Sequence, residues 1–216
     1  MQQKLRNNKF ELIQMSPNNT QSVLLSNGAE CIIFDPWGRA EDWVQLLNQR
    51  GLRLDAIYVT HGHPDHIAAA PALAQKYSVP WYLHSGDFRL VGWGNGLLEY
   101  FGLPPITIND VRPVPLDLNL TEIMPGINVK IIETPGHTPG GVAYYFPDEK
   151  LMIIGDTLFQ ESVGRYDLPG GDVNMLNQSV ATLYNMNLPA DTEIVHGHGM
   201  ATDIAWLRAN NPYFHA

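Results

Sequence analysis

The stretch from Ala56 to Ile67, "AIYVTHGHPDHI", restricts this chain more than any other. A β-branched and aromatic run reads as a strand, and it leads straight into His61, His63, Asp65 and His66. Pro64 marks a helix start, the position where a fixed φ and a missing N–H cost least. Titratable groups crowded this closely beside a strand lose hydration and compete with one another. Chains rarely crowd such groups together beside a strand unless something binds them.

Three more segments repeat the arrangement of a strand followed by a ligand-competent side chain. His137 follows "NVKIIETPG", Asp156 follows "KLMIIG", and His198 follows "TEIVHG". Five imidazoles and two carboxylates thus stand just past four strands, where a rigid scaffold commonly presents functional groups. A lone His beside a strand is ordinarily a hydrogen-bonded structural residue. The density here points to metal binding. In an extended loop residues i and i+2 face the same way, so His61 and His63 can grip one ion, while the turn at Pro64 aims Asp65 and His66 toward a second. A purely nitrogen and oxygen donor set suits Zn2+ first, and Fe or Mn as well, rather than a closed structural zinc site. Asp156 has two oxygens and can bridge a pair of ions.

Bulk properties narrow the class. The 216 residues are 44% hydrophobic with a formal net charge of −9, enough to bury a sizeable core. No basic run offers a surface for nucleic acid or anionic lipid. The first residues, "MQQKLRNNKFELIQM", hold no apolar core of a signal peptide, and no window approaches the roughly 20 apolar residues that span a bilayer. The single cysteine, Cys31, excludes an internal disulfide. Within "ECIIFDP" it reads as a buried core thiol rather than a nucleophile. A soluble, cytoplasmic protein is expected.

Along the chain, "KFELIQMS", "TQSVLLSN" and "ECIIFDP" read as strands separated by "SPNN", "NGAE" and "PWG". The helical "AEDWVQLLNQR" stops at Gly51, and "IAAAPALAQKY" is helical before strand "PWYLH". Residues from Ser85 to Asn109 read as irregular. The second half repeats the layout: strands "NVKIIET", "GVAYYF" and "KLMIIGD", the loop "TLFQESVGRYDLPGGD", helix "VNMLNQSVATLYNM", strand "TEIVHG" and helical "MATDIAWLRAN". The expected class is α/β, with two mixed β-sheets flanked by helices.

The runs "THGHPDH", "TPGHTPGG", "GDTLF", "GRYDLPGGD" and "GHG" resemble the metallo-β-lactamase superfamily, and within it the short bacterial glyoxalase II-like hydrolases (hydroxyacylglutathione hydrolases). The likeness spans most of the chain, from about "CIIFDP" to "GHG". It implies a four-layer αββα sandwich formed by one domain over 1–216, with the metal site at one edge of the two sheets. It also implies that His61, His63 and His137 hold a first ion and Asp65, His66 and His198 a second, with Asp156 bridging. Asp35 matches a family aspartate that supports the ligand loop. His196, where relatives often carry Pro, reads as a hydrogen-bonding residue, and His84 and His215 as structural or surface residues.

The implied reaction is hydrolysis of a thioester, of S-acyl-glutathione type, by attack of a metal-bound hydroxide, with Asp65 orienting the nucleophile and moving its proton. Asp156 disfavours the β-lactamases, which lack an acidic ligand there. A lactone or another ester on the same site is an alternative, and so is persulfide oxidation at a single iron held by His61, His137 and Asp156. Longer glyoxalase II enzymes carry a C-terminal helical extension with glutathione contacts, and this sequence ends soon after His198. Arg165 and Tyr166 in "GRYD" are candidate substrate contacts, with an Arg165–Asp167 ion pair as the plainer reading of the arginine. Trp93 in "VGWGNG" is expected either to cover the cleft as a lid or to pack in a turn.

Overall fold

A computed structural model describes residues 5–15, 19–106 and 111–215. The expected "SPNN" turn falls outside the described residues except for Asn19, as do positions 107–109 of the irregular stretch. The chain divides into two compact units, 1–116 and 117–216.

The first unit runs β1 (Phe10–Ile13), β2 (Ser22–Ser26), β3 (Glu30–Phe34), α1 (Ala40–Arg50), β4 (Arg53–Tyr58), α2 (Pro64–Ile67), α3 (Ala70–Tyr77), β5 (Trp81–Leu83), α4 (Asn95–Tyr100) and β6 (Val114–Pro115). Its six strands form one mixed sheet in sequence order. β1, β2 and β3 pair antiparallel, and β3 through β6 pair parallel. Helix α1 carries Glu41 and Asp42 in its first turn and Arg50 in its last, matching its dipole. Gly51 ends it at φ 64, donating its N–H back to Asn48 and Leu47. Trp43 and Leu47, four residues apart, are buried in the unit's apolar cluster with Ile33, Ile57 and Trp81. Truncating Leu47 to Ala there would cost roughly 2–5 kcal/mol.

The second unit runs β7 (Glu122–Met124), β8 (Ile127–Asn128), β9 (Lys130–Glu133), β10 (Val142–Phe146), β11 (Leu151–Gly155), α5 (Val173–Asn185), β12 (Glu193–His196), β13 (Thr202–Asp203) and α6 (Ile204–Asn210). Five strands form a sheet in the order β13-β12-β11-β10-β9, and β7 and β8 make a separate hairpin. β11 and β12 are parallel, and the other pairs in the five-stranded sheet are antiparallel. Asp172 caps α5 by accepting from the N–H groups of Asn174 and Met175, and Leu176, Val180 and Leu183 present the buried face at helical spacing.

Each unit thus holds a hairpin followed by a helical crossover to a parallel strand. In the first, β3 pairs with β4 in a register that matches Phe34 with Tyr58. Asp35, one residue past β3, therefore lies beside Thr60, two past β4. In the second, Gly155 pairs with His196, and Gly197 N–H donates to Gly155 O at 2.8 Å. Asp156 and His198 leave the sheet together in consequence.

Two expectations need correction. The helix expected over "IAAAPALAQKY" is interrupted at 68–69, since Pro71, lacking an N–H to donate, sits at the start of α3 rather than inside a continuous helix. The stretch from Ser85, expected to be irregular, contains a 3-10 turn at Ser85–Asp87 and helix α4. Among the described residues no helix is long and apolar enough to cross a membrane.

Candidate metal centre

In the first unit the cluster is built around one buried carboxylate. Asp35 is 1% exposed and adopts φ 49, a left-handed conformation that Asp tolerates better than most residues. Its Oδ1 accepts from Thr60 N–H at 2.6 Å, and its Oδ2 accepts from Thr60 Oγ1 at 2.7 Å. His66 Nδ1 lies 2.9 Å from the same Oδ2. Ser22 Oγ anchors the carboxylate's own backbone, donating to Asp35 O at 2.6 Å.

These contacts dictate where ring protons reside. Asp35 ionised can only accept, so His66 carries its proton on Nδ1 and turns an unprotonated Nε2 outward. Thr60 spends its hydroxyl proton on Asp35, so its oxygen accepts from His61 Nδ1 at 3.0 Å. His61 therefore also keeps Nε2 as its basic nitrogen. A carboxylate or carbonyl holding Nδ1 in this way is the usual outer support of a metal-binding imidazole.

The rings of His61 and His66 lie 4.1 Å apart, and those of His61 and His63 lie 4.8 Å apart. The potential ligand atoms within each of these pairs, and within Asp65 and His66, approach to within 4.8 Å. Asp65 Oδ2 is 4.0 Å from His66 Nε2, and Pro64 at the start of α2 puts both residues in one helical turn. A residue that sequence reasoning passed over completes this half. Asp87, fully buried in the 3-10 turn, accepts from Gly62 N–H at 2.8 Å. A Cβ on Gly62 would sit 3.0 Å from that of Asp87, so a glycine lets the loop close over the carboxylate. No local motif marks Asp87. The signal lies in a contact spanning 25 residues.

In the second unit the same logic recurs. His137 Nδ1 donates to Arg165 O at 2.6 Å, which again leaves Nε2 as the basic nitrogen. That Nε2 lies 3.6 Å from Asp156 Oδ2, and His198 Nε2 lies 3.6 Å from the same oxygen. This is too long for a hydrogen bond. It agrees with two ligand atoms on one ion, which bonds of ~2.1 Å at a tetrahedral angle set about 3.4 Å apart. Asp156 Oδ2 is thus equidistant from two imidazoles. Tight glycines permit this: a Cβ on Gly164 would lie 1.8 Å from Asp156 O and 3.1 Å from His137 Nδ1.

Arg165, Tyr166, His196 and His215 of this unit, and His84 of the first, remain to be placed. The Arg165 guanidinium holds Asp167 through two bonds of 2.9 Å on the exposed surface, which pushes the Arg165 pKa up and the Asp167 pKa down. Only the backbone carbonyl of Arg165 meets His137. Tyr166 is half-exposed and lines a concavity of about 540 Å³ with Val173, Asn177 and Tyr213. Both nitrogens of His196 are engaged, Nδ1 with Leu158 O at 2.6 Å and Nε2 with Thr202 Oγ1 at 2.8 Å. Burial pushes its pKa down to about 4 against the opposing pull of Leu158 O and Asp156. His84 Nδ1 accepts from Gly86 N–H within a surface turn, and His215 is exposed near the C-terminus.

The side chains fit a divalent cation. Three imidazoles are fixed in the tautomer with a basic Nε2, and the carboxylates of Asp65 and Asp156 supply anionic oxygen, the donor set that zinc, iron and manganese share.

Comparison with known proteins gives the same answer from an independent direction. Residues 15–198, a span crossing both units, match the family described as the metallo-beta-lactamase superfamily. Hydroxyacylglutathione hydrolase GloC of Haemophilus influenzae is 33% identical over 198 residues, covering 90% of this chain and 92% of GloC. The solved structure of the B3 metallo-beta-lactamase BLEG-1 superposes with a TM-score of 0.82 at 35% identity, covering 96% of this chain and all of that one. TTHA1623 in a di-iron-bound form gives a TM-score of 0.80 at 33% identity, covering 94% of this chain and 98% of its own. The expected fold class is therefore met, and the chain belongs to the metallo-beta-lactamase superfamily.

Proposed function

We propose that this chain is a dinuclear metal-dependent hydrolase that cleaves thioesters of S-acyl-glutathione type. His61, His63 and His137 would hold one ion and Asp65, His66 and His198 a second, and Asp156, whose ligand atom groups with those of His61 and His66, would serve both. In this reading 1–216 is a single domain. The observation that carries it is the placement of Asp156 Oδ2 at 3.6 Å from both His137 Nε2 and His198 Nε2, the geometry of a shared ligand. Support comes from the di-iron form of TTHA1623 for the number of ions, and from the name of GloC for the substrate.

Divalent ions, when bound, acidify a water toward neutral pH and polarise a carbonyl. The residues do the rest. Asp35 and Thr60 keep His61 and His66 in the ligating tautomer. Asp65, at the start of α2, orients the water and takes its proton. Hydroxide adds to the acyl carbon, the C–S bond breaks, and the proton passes to the departing sulfur, giving acid and thiol.

The test is thiol release from S-lactoylglutathione by the metal-reconstituted full chain, beside an acyl-homoserine lactone, a chromogenic cephalosporin and oxygen uptake with glutathione persulfide. Chelator-sensitive release of glutathione, faster than opening of either ring substrate, is expected. Faster lactone or β-lactam opening moves the substrate to that class, which the likeness to BLEG-1 makes a necessary comparison. Oxygen uptake with one iron, or no turnover of any of these, overturns the proposal.

A further inference from the structure

The loop "VGWGN" sets Trp93 beside His63, with ring centroids 5.9 Å apart and planes 39° from parallel. Trp93 is 47% exposed, whereas Trp37, Trp43 and Trp81 are fully buried. It is thus not a packed turn residue. Nor is the loop free to swing as a lid. Trp93 N–H donates to Leu90 O at 2.9 Å. Gly94 rests against Pro64, where a Cβ would lie 2.3 Å from Cγ. The Asn95 amide exchanges two hydrogen bonds of 2.9 Å with the backbone of Ile106. A backbone held on both sides thus sets a half-exposed indole in ring contact with a candidate ligand.

Two further apolar side chains extend it. Leu97 is 39% exposed and Tyr100 is 81% exposed. They lie three residues apart and so share one face of α4, while Leu98 is buried as the helix's anchor. α4 itself rises about 8 Å from Asn95 to Tyr100. Exposed apolar side chains grouped within eight residues, two of them on one helix face, suit a contact surface. Glu99, the charged residue of α4, disfavours an anionic occupant.

We propose that Trp93, Leu97 and Tyr100 form a binding surface for the apolar acyl chain of the substrate, leading away from the centre at His63. This rests on the hydrolase reading and deepens it: the preferred thioester carries a medium-length alkyl chain rather than a short polar acyl group.

The metal-loaded full chain is assayed on S-acyl thioesters of one thiol, from acetyl to octanoyl. A fully buried methylene is worth about fourfold in binding and a half-covered one about twofold, so six added methylenes give an octanoyl-to-acetyl ratio of kcat/KM on the order of 50. Trp93→Ala and Leu97→Ser are each expected to lower that ratio at least fivefold. Leu97→Ser alters a side chain already in solvent, so it guards against a variant that fails to fold. Independently of turnover, 1-octanol should shift the exposed indole's emission to shorter wavelength in the wild-type protein and not in Trp93→Phe. A wild-type ratio near one, a ratio in both variants unchanged from wild type, or selectivity that follows the thiol instead overturns the proposal, as does a dimer that covers α4. Absence of hydrolysis of every thioester in the series, with the octanol-induced shift intact, would instead remove the hydrolase reading and leave an apolar binding surface standing.

Discussion

Asp35→Asn replaces a carboxylate by an amide of the same shape, and Asn also tolerates the left-handed backbone at this position. The backbone should therefore hold while proton placement inverts. An amide has one accepting oxygen where Asp35 uses two, for Thr60 N–H at 2.6 Å and for Thr60 Oγ1 and His66 Nδ1 at 2.7 and 2.9 Å. If the amide oxygen stays with Thr60 N–H, its NH2 faces His66 Nδ1, which must then accept, so the ring proton moves to Nε2 and occupies the ligating lone pair. Thr60, now receiving a proton from the amide, can donate its own to His61 Nδ1 and invert that ring too. The opposite rotamer sets NH2 against Thr60 N–H, donor against donor. In that second arrangement a buried N–H loses its partner, costing about 1–3 kcal/mol of stability, so the first, with both rings inverted, is the one expected. Loss of an outer support commonly weakens metal binding 10- to 100-fold. With two imidazoles affected, a drop of ~100-fold in Zn2+ affinity is expected. Equilibrium competition with a chromophoric chelator measures it, and ring nitrogen NMR shifts of the apo-protein report the tautomers. Affinity within threefold of wild type, with both rings unchanged, would refute the proton relay.

Gly164→Ala introduces a methyl 1.8 Å from Asp156 O and should cost about 1–3 kcal/mol in urea unfolding with loss of bound metal. Gly96→Ala, where a Cβ meets nothing within 4 Å, should be neutral or stabilising in the same experiment. Asp87→Ala removes the anchor of Gly62 and is expected to weaken metal binding about tenfold in the chelator assay. Cys31, whose thiol is pushed up to about 12 mainly by burial and next by Asp55, should resist thiol reagents until the chain is unfolded. The neutral thiol's contribution to stability is complete below its unfolded value of 9.0 and is lost as pH rises toward 12. Ready modification of the native protein at pH 8 would contradict this.

The strands and long helices were legible because their apolar period survives in the sequence. Trp43 and Leu47, or the unbroken "LMIIG", can be buried in only one way. Helix α4 was not legible, since Gly92, Gly94 and Gly96 outweigh the short "LLEY" that follows. β6 and β13, two residues each, carry no period at all. At the site, His61, His63, Asp65 and His66 announce themselves by density, whereas His137, Asp156 and His198 stand out only by their shared position past strands. Asp87 was invisible because its role depends on a fold that brings residue 87 to residue 62. Trp93 could be noticed but not interpreted, as its exposure and the pinning of its loop are tertiary facts.

The most direct test of the two-ion centre is elemental analysis of the purified full chain after dialysis against buffer containing Zn2+ and removal of loose metal. Two equivalents per chain are predicted, falling to about one in His198→Ala with the His61–His63 half intact. Retention of no metal, or the same content in wild type and His198→Ala, would contradict the shared ligand role assigned to Asp156 and the hydrolase built on it.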